Sequence, residues 1–152
     1  MRNRPEPLKR HLKLHHSGFV VAEISSAMPG FLRSLGAEWD GQVFEDPLQQ
    51  VRVAFLATAA SQALIELVEP GPTNAGLLRF LSEKGGGLHH LCFEVDDLES
   101  EIEGMRSHGS MIVKRPKPAV AFEGRRIAWI LTPEKLLVEL LEARVPNGRG
   151  SA

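Results

Sequence analysis

Two segments of the chain place paired histidines at the start of an apolar run: "KLHHSGFVV" at residues 13–21 and "GLHHLCFEV" at residues 87–95. Two others set a glutamate between aliphatic neighbours, Glu66 in "LIELVEP" and Glu139 in "LVELLEA". Imidazoles and carboxylates bind divalent cations, and both can move a proton near neutral pH. Side chains alternate faces along a strand. In the first segment His15, Phe19 and Val21 fall on one side, with His16, Gly18 and Val20 on the other. In the second, His89, Leu91, Phe93 and Val95 oppose His90, Cys92 and Glu94. The bulkier apolar side is expected to pack on a helix, which leaves His16 and His90 on the open face. His15 and His89 are then expected to hydrogen-bond locally or to pack on the helix side. Glu66 and Glu139 each point away from two aliphatic neighbours, a costly place for an unpartnered charge.

The spacing joins these residues into a set. His16 and His90 are 74 residues apart. Glu66 and Glu139 are 73 apart. Matched offsets from independent landmarks indicate a duplicated unit. Pseudo-twofold packing of two such units would bring one histidine and one glutamate from each to a common point. Taken singly, each of the four reads as an ordinary strand residue. Taken as two equivalent pairs, they suit a divalent transition ion such as Zn, Ni, Co, Mn or Fe.

The elements that must position them repeat in the same order. "LHHSGFVVAEI" reads as a strand. Ser25 or Ser26 is the expected cap of a helix running to about Gly36, with Phe31, Leu32 and Leu35 apolar and Pro29 and Gly30 weakening it. "WDGQVFED", "VRVAFLAT" and "QALIELVEP" are three strand-like runs divided by turn residues. "TNAGLLRFLSEKGGG" reads as a linking helix ended by glycines. "LHHLCFEV" then restarts the series. "DDLESEIEGMRSHG" is an amphipathic helix beginning at Asp96 or Asp97, and "SMIVKRP", "RRIAWILTP" and "LLVELLEA" are three more strands. The expectation is an α+β fold: two tandem βαβββ modules, about 13–70 and 87–143, forming one curved mixed sheet around a cleft in a single domain spanning 13–143.

The chain is long enough for one such core at 152 residues, and its net charge of −1 argues against a nucleic-acid or membrane partner held by bulk charge. Its single cysteine, Cys92, excludes an internal disulfide and points to a reducing, cytoplasmic setting. No apolar run approaches the roughly 18 residues of a membrane-spanning helix. The basic start, residues 1–12, and the end, residues 144–152, read as flexible arms.

The quoted segments resemble the vicinal oxygen chelate superfamily, which includes glyoxalase I, extradiol dioxygenases and bleomycin-resistance proteins. "VRVAFL", "IELVEP", "LLRFLSEKGGGLHHLCFEVDDLE" and "LLVELLEA" are most similar to the methylmalonyl-CoA epimerase family, in its order and spacing. The resemblance covers about His15 to Ala143. It implies His16, Glu66, His90 and Glu139 as metal ligands, a carboxylated acyl-CoA as substrate, and proton transfer at the carbon alpha to a thioester carbonyl. Glu139 would be one base. A homodimer is implied by analogy with relatives. The family's second base is a glutamate just before a Gln-Gly-Val-Arg segment. Here the segment is "PLQQVRVAFL", so Leu48 holds that position and Gln50 replaces the glycine. Glu45 is the candidate substitute base, with Asp46 beside it. The plain reading of both acids is a solvated turn.

Lys114, Arg115, Lys117, Arg125 and Arg126 are candidate contacts for coenzyme A phosphates, against the plain reading of a solvated loop. Phe122 and Trp129 either line the cleft or pack elsewhere, and Cys92 reads as a small core residue. Three functions fit this set. They are a metal-dependent epimerase or isomerase, a lyase of the glyoxalase I kind, and a non-catalytic small-molecule-binding protein of the resistance type.

Overall fold

The computed structural model describes residues 12–145. The expected arms at 1–12 and 144–152 therefore lie almost wholly outside the described residues. Strand β1 (Lys13–Val20) leads into helix α1 (Ile24–Leu35) and then β2 (Phe44–Asp46), β3 (Val51–Leu56) and β4 (Leu64–Pro70). Helix α2 (Ala75–Lys84) links to the second series: β5 (Gly87–Val95), α3 (Leu98–Ser107), β6 (Met111–Pro118), a 3-10 turn (Val120–Phe122), β7 (Arg126–Leu131) and β8 (Leu137–Glu142). All eight strands form one sheet in the order β2-β3-β4-β1-β5-β8-β7-β6. Each half contains one parallel pair, β1 with β4 and β5 with β8, and the halves join through antiparallel β1 and β5. The doubled βαβββ plan expected from the sequence is the observed architecture.

Alternation along the strands sorts the side chains onto two faces. On the outer face Ala54, Leu56 and Leu67 pack against Ile24 and Met28 of α1. Ala128, Ile130, Val138 and Leu140 pack against Leu98, Ile102 and Met105 of α3. Burying each such aliphatic side chain contributes about 1.5–3 kcal/mol. The intervening residues, Val53, Glu66, Val68, Ile127, Trp129 and Glu139, are left for the inner face. There Leu77, Phe80 and Leu81 of α2 cover Val20, Val53 and Val68.

The start of α1 departs from the sequence expectation. Its cap is Glu23, and the hydroxyls of Ser25 and Ser26 donate back to Glu23 Oε1 at 2.6 and 2.8 Å. A tertiary contact explains the shift: Ile24 N–H donates to Glu69 Oε1 of β4 at 3.0 Å, which satisfies the first turn from outside. The helix runs unbroken through Pro29 and ends at Gly36, whose φ of 58° is the left-handed stop that glycine adopts without strain. Asn74 and Asp97 cap α2 and α3, each accepting from a backbone N–H three residues on.

Candidate metal centre

The four residues singled out by the repeat converge on the inner face, and all four are buried. His16 Nε2 lies 3.2 Å from His90 Nε2, 3.2 Å from Glu139 Oε1 and 3.5 Å from Glu66 Oε1. His90 Nε2 lies 3.3 Å from Glu66 Oε1. Gathering them requires the β1–β5 seam. His16 pairs with Cys92 and Gly18 with His90, while Glu66 pairs with Gly18 and Glu139 with Cys92. Gly18 and Cys92 thus occupy equivalent places, each flanked by one imidazole and one carboxylate.

Strict alternation misplaces the other two histidines. Between the pairs Leu14–Phe93 and His16–Cys92, β1 carries one extra residue, His15. Between Gly18–His90 and Phe19–Leu88, β5 carries one extra residue, His89. These are β-bulges, which break the alternation and re-aim side chains. His15 Nδ1 lies 2.8 Å from His16 Nδ1, and His89 Nδ1 lies 2.9 Å from His90 Nδ1. The His15 ring meets Phe122, and the His89 ring meets Phe80 and Trp129. Each bulged histidine therefore occupies the Nδ1 of its neighbour and leaves that neighbour's Nε2 for the centre, the outer-shell arrangement that fixes a metal-binding imidazole.

The electrostatics are those of a site built for positive charge. Burial works against charge on His16, but the carboxylates of Glu66 and Glu139 outweigh it and raise the imidazole to about 10. Burial likewise works against ionisation of Glu66, yet His16 and His90 hold its carboxyl well below the usual range. Burial and the neighbouring His90 lower His89 to about 4, and burial with His16 lowers His15. The Cys92 thiol is pushed up by burial and by Glu139.

The donor set fits a divalent ion. Glu139 Oε1 is buried with no hydrogen-bond donor aligned on it, although His16 Nε2 is 3.2 Å away. Two imidazole Nε2 atoms facing each other need a proton or a cation between them. Ligand atoms bonded to one ion at about 2.0–2.2 Å sit about 2.8–3.6 Å apart, from octahedral to tetrahedral geometry, and the separations of 3.2–3.5 Å seen here fall in that span. His16, His90 and Glu139 also offer atoms all within 4.8 Å of one another.

Beside the centre lies a cavity of about 300 Å³, walled by aliphatic residues and by Phe122 and Trp129. Its further polar residues include Asp46, Gln49, Asn74, His89 and Lys114. Glu45 is placed elsewhere: its side chain is 78% exposed, 3.4 Å from Arg52, and does not line the cavity. Leu48 is 58% exposed and does not line it either. Arg125 is engaged by Glu94 and the Glu142 carbonyl, and Arg126 by Glu99 and Glu142. Of the basic loop residues only Lys114 reaches the cavity wall. Asp46, which the sequence suggests is a solvated turn residue, is 4% exposed. Its short "EDPLQQ" context carries no signal that a carboxylate is buried there.

A pair of βαβββ units that gathers two histidines and two glutamates on the inner face of one sheet defines a class of small mixed-sheet proteins. The profile of the Glyoxalase/Bleomycin resistance protein/Dioxygenase superfamily matches residues 15–129, and the chain belongs to that superfamily. It is 25% identical over 119 residues to the ethylmalonyl-CoA/methylmalonyl-CoA epimerase of Cereibacter sphaeroides, covering 78% of this chain and 87% of that one. It is 31% identical over 134 residues to the uncharacterized protein YqjC of Bacillus subtilis, covering 87% and 93%. The crystal structure of methylmalonyl-CoA epimerase from Mycobacterium tuberculosis superposes with a TM-score of 0.75 at 28% identity, covering 88% of this chain and 89% of that one.

Proposed function

We propose that the chain is a divalent-metal-dependent enzyme of the epimerase and isomerase kind, acting at the carbon alpha to the thioester carbonyl of a carboxylated acyl-CoA. The observation that carries this reading is the convergence of His16, Glu66, His90 and Glu139 on one buried point beside an apolar cavity. Those four residues would hold the ion. An ion bound there supplies Lewis-acid stabilisation for the negative charge that develops on a chelated carbonyl oxygen. Glu139 sits at the edge of the cavity and takes or returns the alpha proton on one face of the substrate carbon. His15 and His89 hold the two ligand imidazoles through Nδ1. The apolar wall excludes water, which strengthens each of these interactions.

Glu45 receives no proton-transfer role in this reading, because it lies outside the cavity and faces solvent. Leu48 supplies none by its chemistry. Glu139 therefore accounts for proton transfer on one face of the carbon, and alpha-proton exchange, the step that epimerases and isomerases share, is the activity these residues support. Incubating the metal-loaded protein with methylmalonyl-CoA in deuterated water tests this directly. Alpha deuteration is expected, and a substrate that stays fully protonated ends the reading.

The one-sided arrangement of bases favours a second reading, a lyase of the glyoxalase I kind. Turnover of the hemithioacetal of methylglyoxal and glutathione would distinguish it. A non-catalytic binding protein accords less well with four buried metal-ligand side chains. We also propose a cytoplasmic homodimer, on the single buried thiol and on analogy with the superfamily. No helix among the described residues is long and apolar enough to cross a membrane.

A further inference from the structure

The eight-stranded sheet is an open arc whose two edge strands are β2 and β6. Among the described residues no strand pairing closes it. Asp46 ends β2, and Val120 opens the 3-10 turn that follows β6. They are 74 residues apart and lie where the two edge strands end. Asp46 Oδ2 accepts the Val120 N–H at 3.0 Å. Asp46 Oδ1 accepts the N–H groups of Leu48 and Gln49, both at 3.0 Å. One buried carboxylate thus ties the turn bearing Gln49 to the turn bearing Phe122, and both turns line the cavity.

We infer that Asp46 is a positioning residue: its carboxylate clasps the two edges of the sheet together and sets the cavity wall that Gln49 presents to substrate. The wall is held from the other side as well. Asn74 Nδ2 donates to the Gln49 and Gln50 carbonyls at 3.3 Å, and Gly71 N–H donates to the Gln50 carbonyl at 2.9 Å. Gln49 therefore has both of its peptide groups fixed while its side chain borders the cavity. A carboxylate suits this role because it accepts from three donors at once, and an amide offers only one accepting oxygen. Losing the clasp frees one cavity wall, whereas the backbone that carries the four-residue centre is held separately by the β1–β5 seam and by the β1–β4 and β5–β8 pairs.

Two variants test this from opposite sides. Asp46→Asn removes an acceptor. Val120→Pro removes only the donor: the residue opens a helical turn, where proline is tolerated, and Ala119 before it is already extended, at φ −119° and ψ 128°. In amide hydrogen exchange, Asp46→Asn is expected to speed Leu48, Gln49 and Val120 together by at least about tenfold, and Val120→Pro to speed Leu48 and Gln49, with β1 and β5 unchanged. In methylmalonyl-CoA exchange both variants are expected to raise KM about tenfold at unchanged metal content, as a slackened wall would. The kinetic arm rests on the function proposed above, whereas the exchange arm does not. A wild-type protein inert toward methylmalonyl-CoA would end that function and leave the amide data to decide the clasp. Full protection of Val120 in Asp46→Asn, or unchanged KM in an active wild-type background, overturns the inference.

Discussion

Gly18 lies directly beneath the imidazole of His90: a Cβ built at residue 18 would stand 2.0 Å from His90 Cε1 and 2.4 Å from Nε2. Its equivalent in the other half, Cys92, carries a side chain beside His16 without such a clash, so the two halves are not interchangeable here. The absent side chain at residue 18 is what lets His90 reach the centre. Gly18→Ala is expected to push the ring aside and weaken binding of Co²⁺ by about 10–100-fold, comparable to losing a residue that orients a ligand. Far-UV circular dichroism should be unchanged, and a cobalt titration indistinguishable from wild type would refute the packing argument.

Each of the four central side chains is expected to matter to the ion separately. Replacing one buried member leaves the remaining charges without their partner, so the cost exceeds that of a lost surface contact. His16→Ala, Glu66→Ala, His90→Ala and Glu139→Ala should each reduce bound metal after purification and dialysis to well below one equivalent. Metal analysis gives the result directly. A variant that keeps a full equivalent identifies a residue outside the coordination set.

Cys92 should be an unreactive thiol. It is fully buried, and burial together with the Glu139 carboxylate raises its pKa well above the usual value near 9.0. The reactive species is the thiolate, so the folded protein should react with iodoacetamide at pH 8 at least about a hundredfold more slowly than the denatured chain. A raised pKa also moves the titration upward, and the rate should still be climbing at a pH where an ordinary thiol has levelled off. Rapid native-state labelling at pH 8 would contradict both the burial and the carboxylate contact.

Much of this was legible in the sequence, for reasons that can be traced to particular residues. The two-His, two-Glu set was readable because duplication wrote it twice at nearly constant offset and strand periodicity put Glu66 and Glu139 opposite aliphatic neighbours. The same periodicity failed at His15 and His89. A bulge leaves no mark in residue types, so a one-residue slip of face goes unseen. The cap of α1 was misplaced because the satisfying group, Glu69, lies on β4, 45 positions away from Ile24. Asp46 looked like a turn acid for the same reason: Val120, one of its three donors, comes from the other half of the chain. Local signals located the elements, and long-range partners decided the details.

The core beneath α3 offers a test of the fold that does not involve the centre. Leu140 of β8 is completely buried beneath α3, next to Glu139 in sequence but on the opposite face of the sheet. Leu140→Ala is expected to lower unfolding free energy by about 2–5 kcal/mol, the usual cost of a cavity in a packed core. Chemical denaturation measures it. A loss below about 0.5 kcal/mol, typical of surface substitutions, would mean that this face is not the packed one.

The second wall of the cavity gives the sharpest distinction between positions 48 and 49. The epimerase-like pattern implies a base at residue 48, but Leu48 is 58% exposed and does not line the cavity, whereas Gln49 does. Restoring the acid at the aligned position should therefore fail: in Leu48→Glu the new carboxylate faces water, and methylmalonyl-CoA should exchange its alpha proton without inverting. Gln49→Glu places a carboxylate in the wall itself, where a second face of the carbon is within reach of a base. That variant is expected to gain inversion, seen as conversion of one C2 epimer of methylmalonyl-CoA into the other during deuterium uptake. Inversion in Leu48→Glu and none in Gln49→Glu would show that the turn from Asp46 to Gln50 adopts a different conformation when substrate is bound.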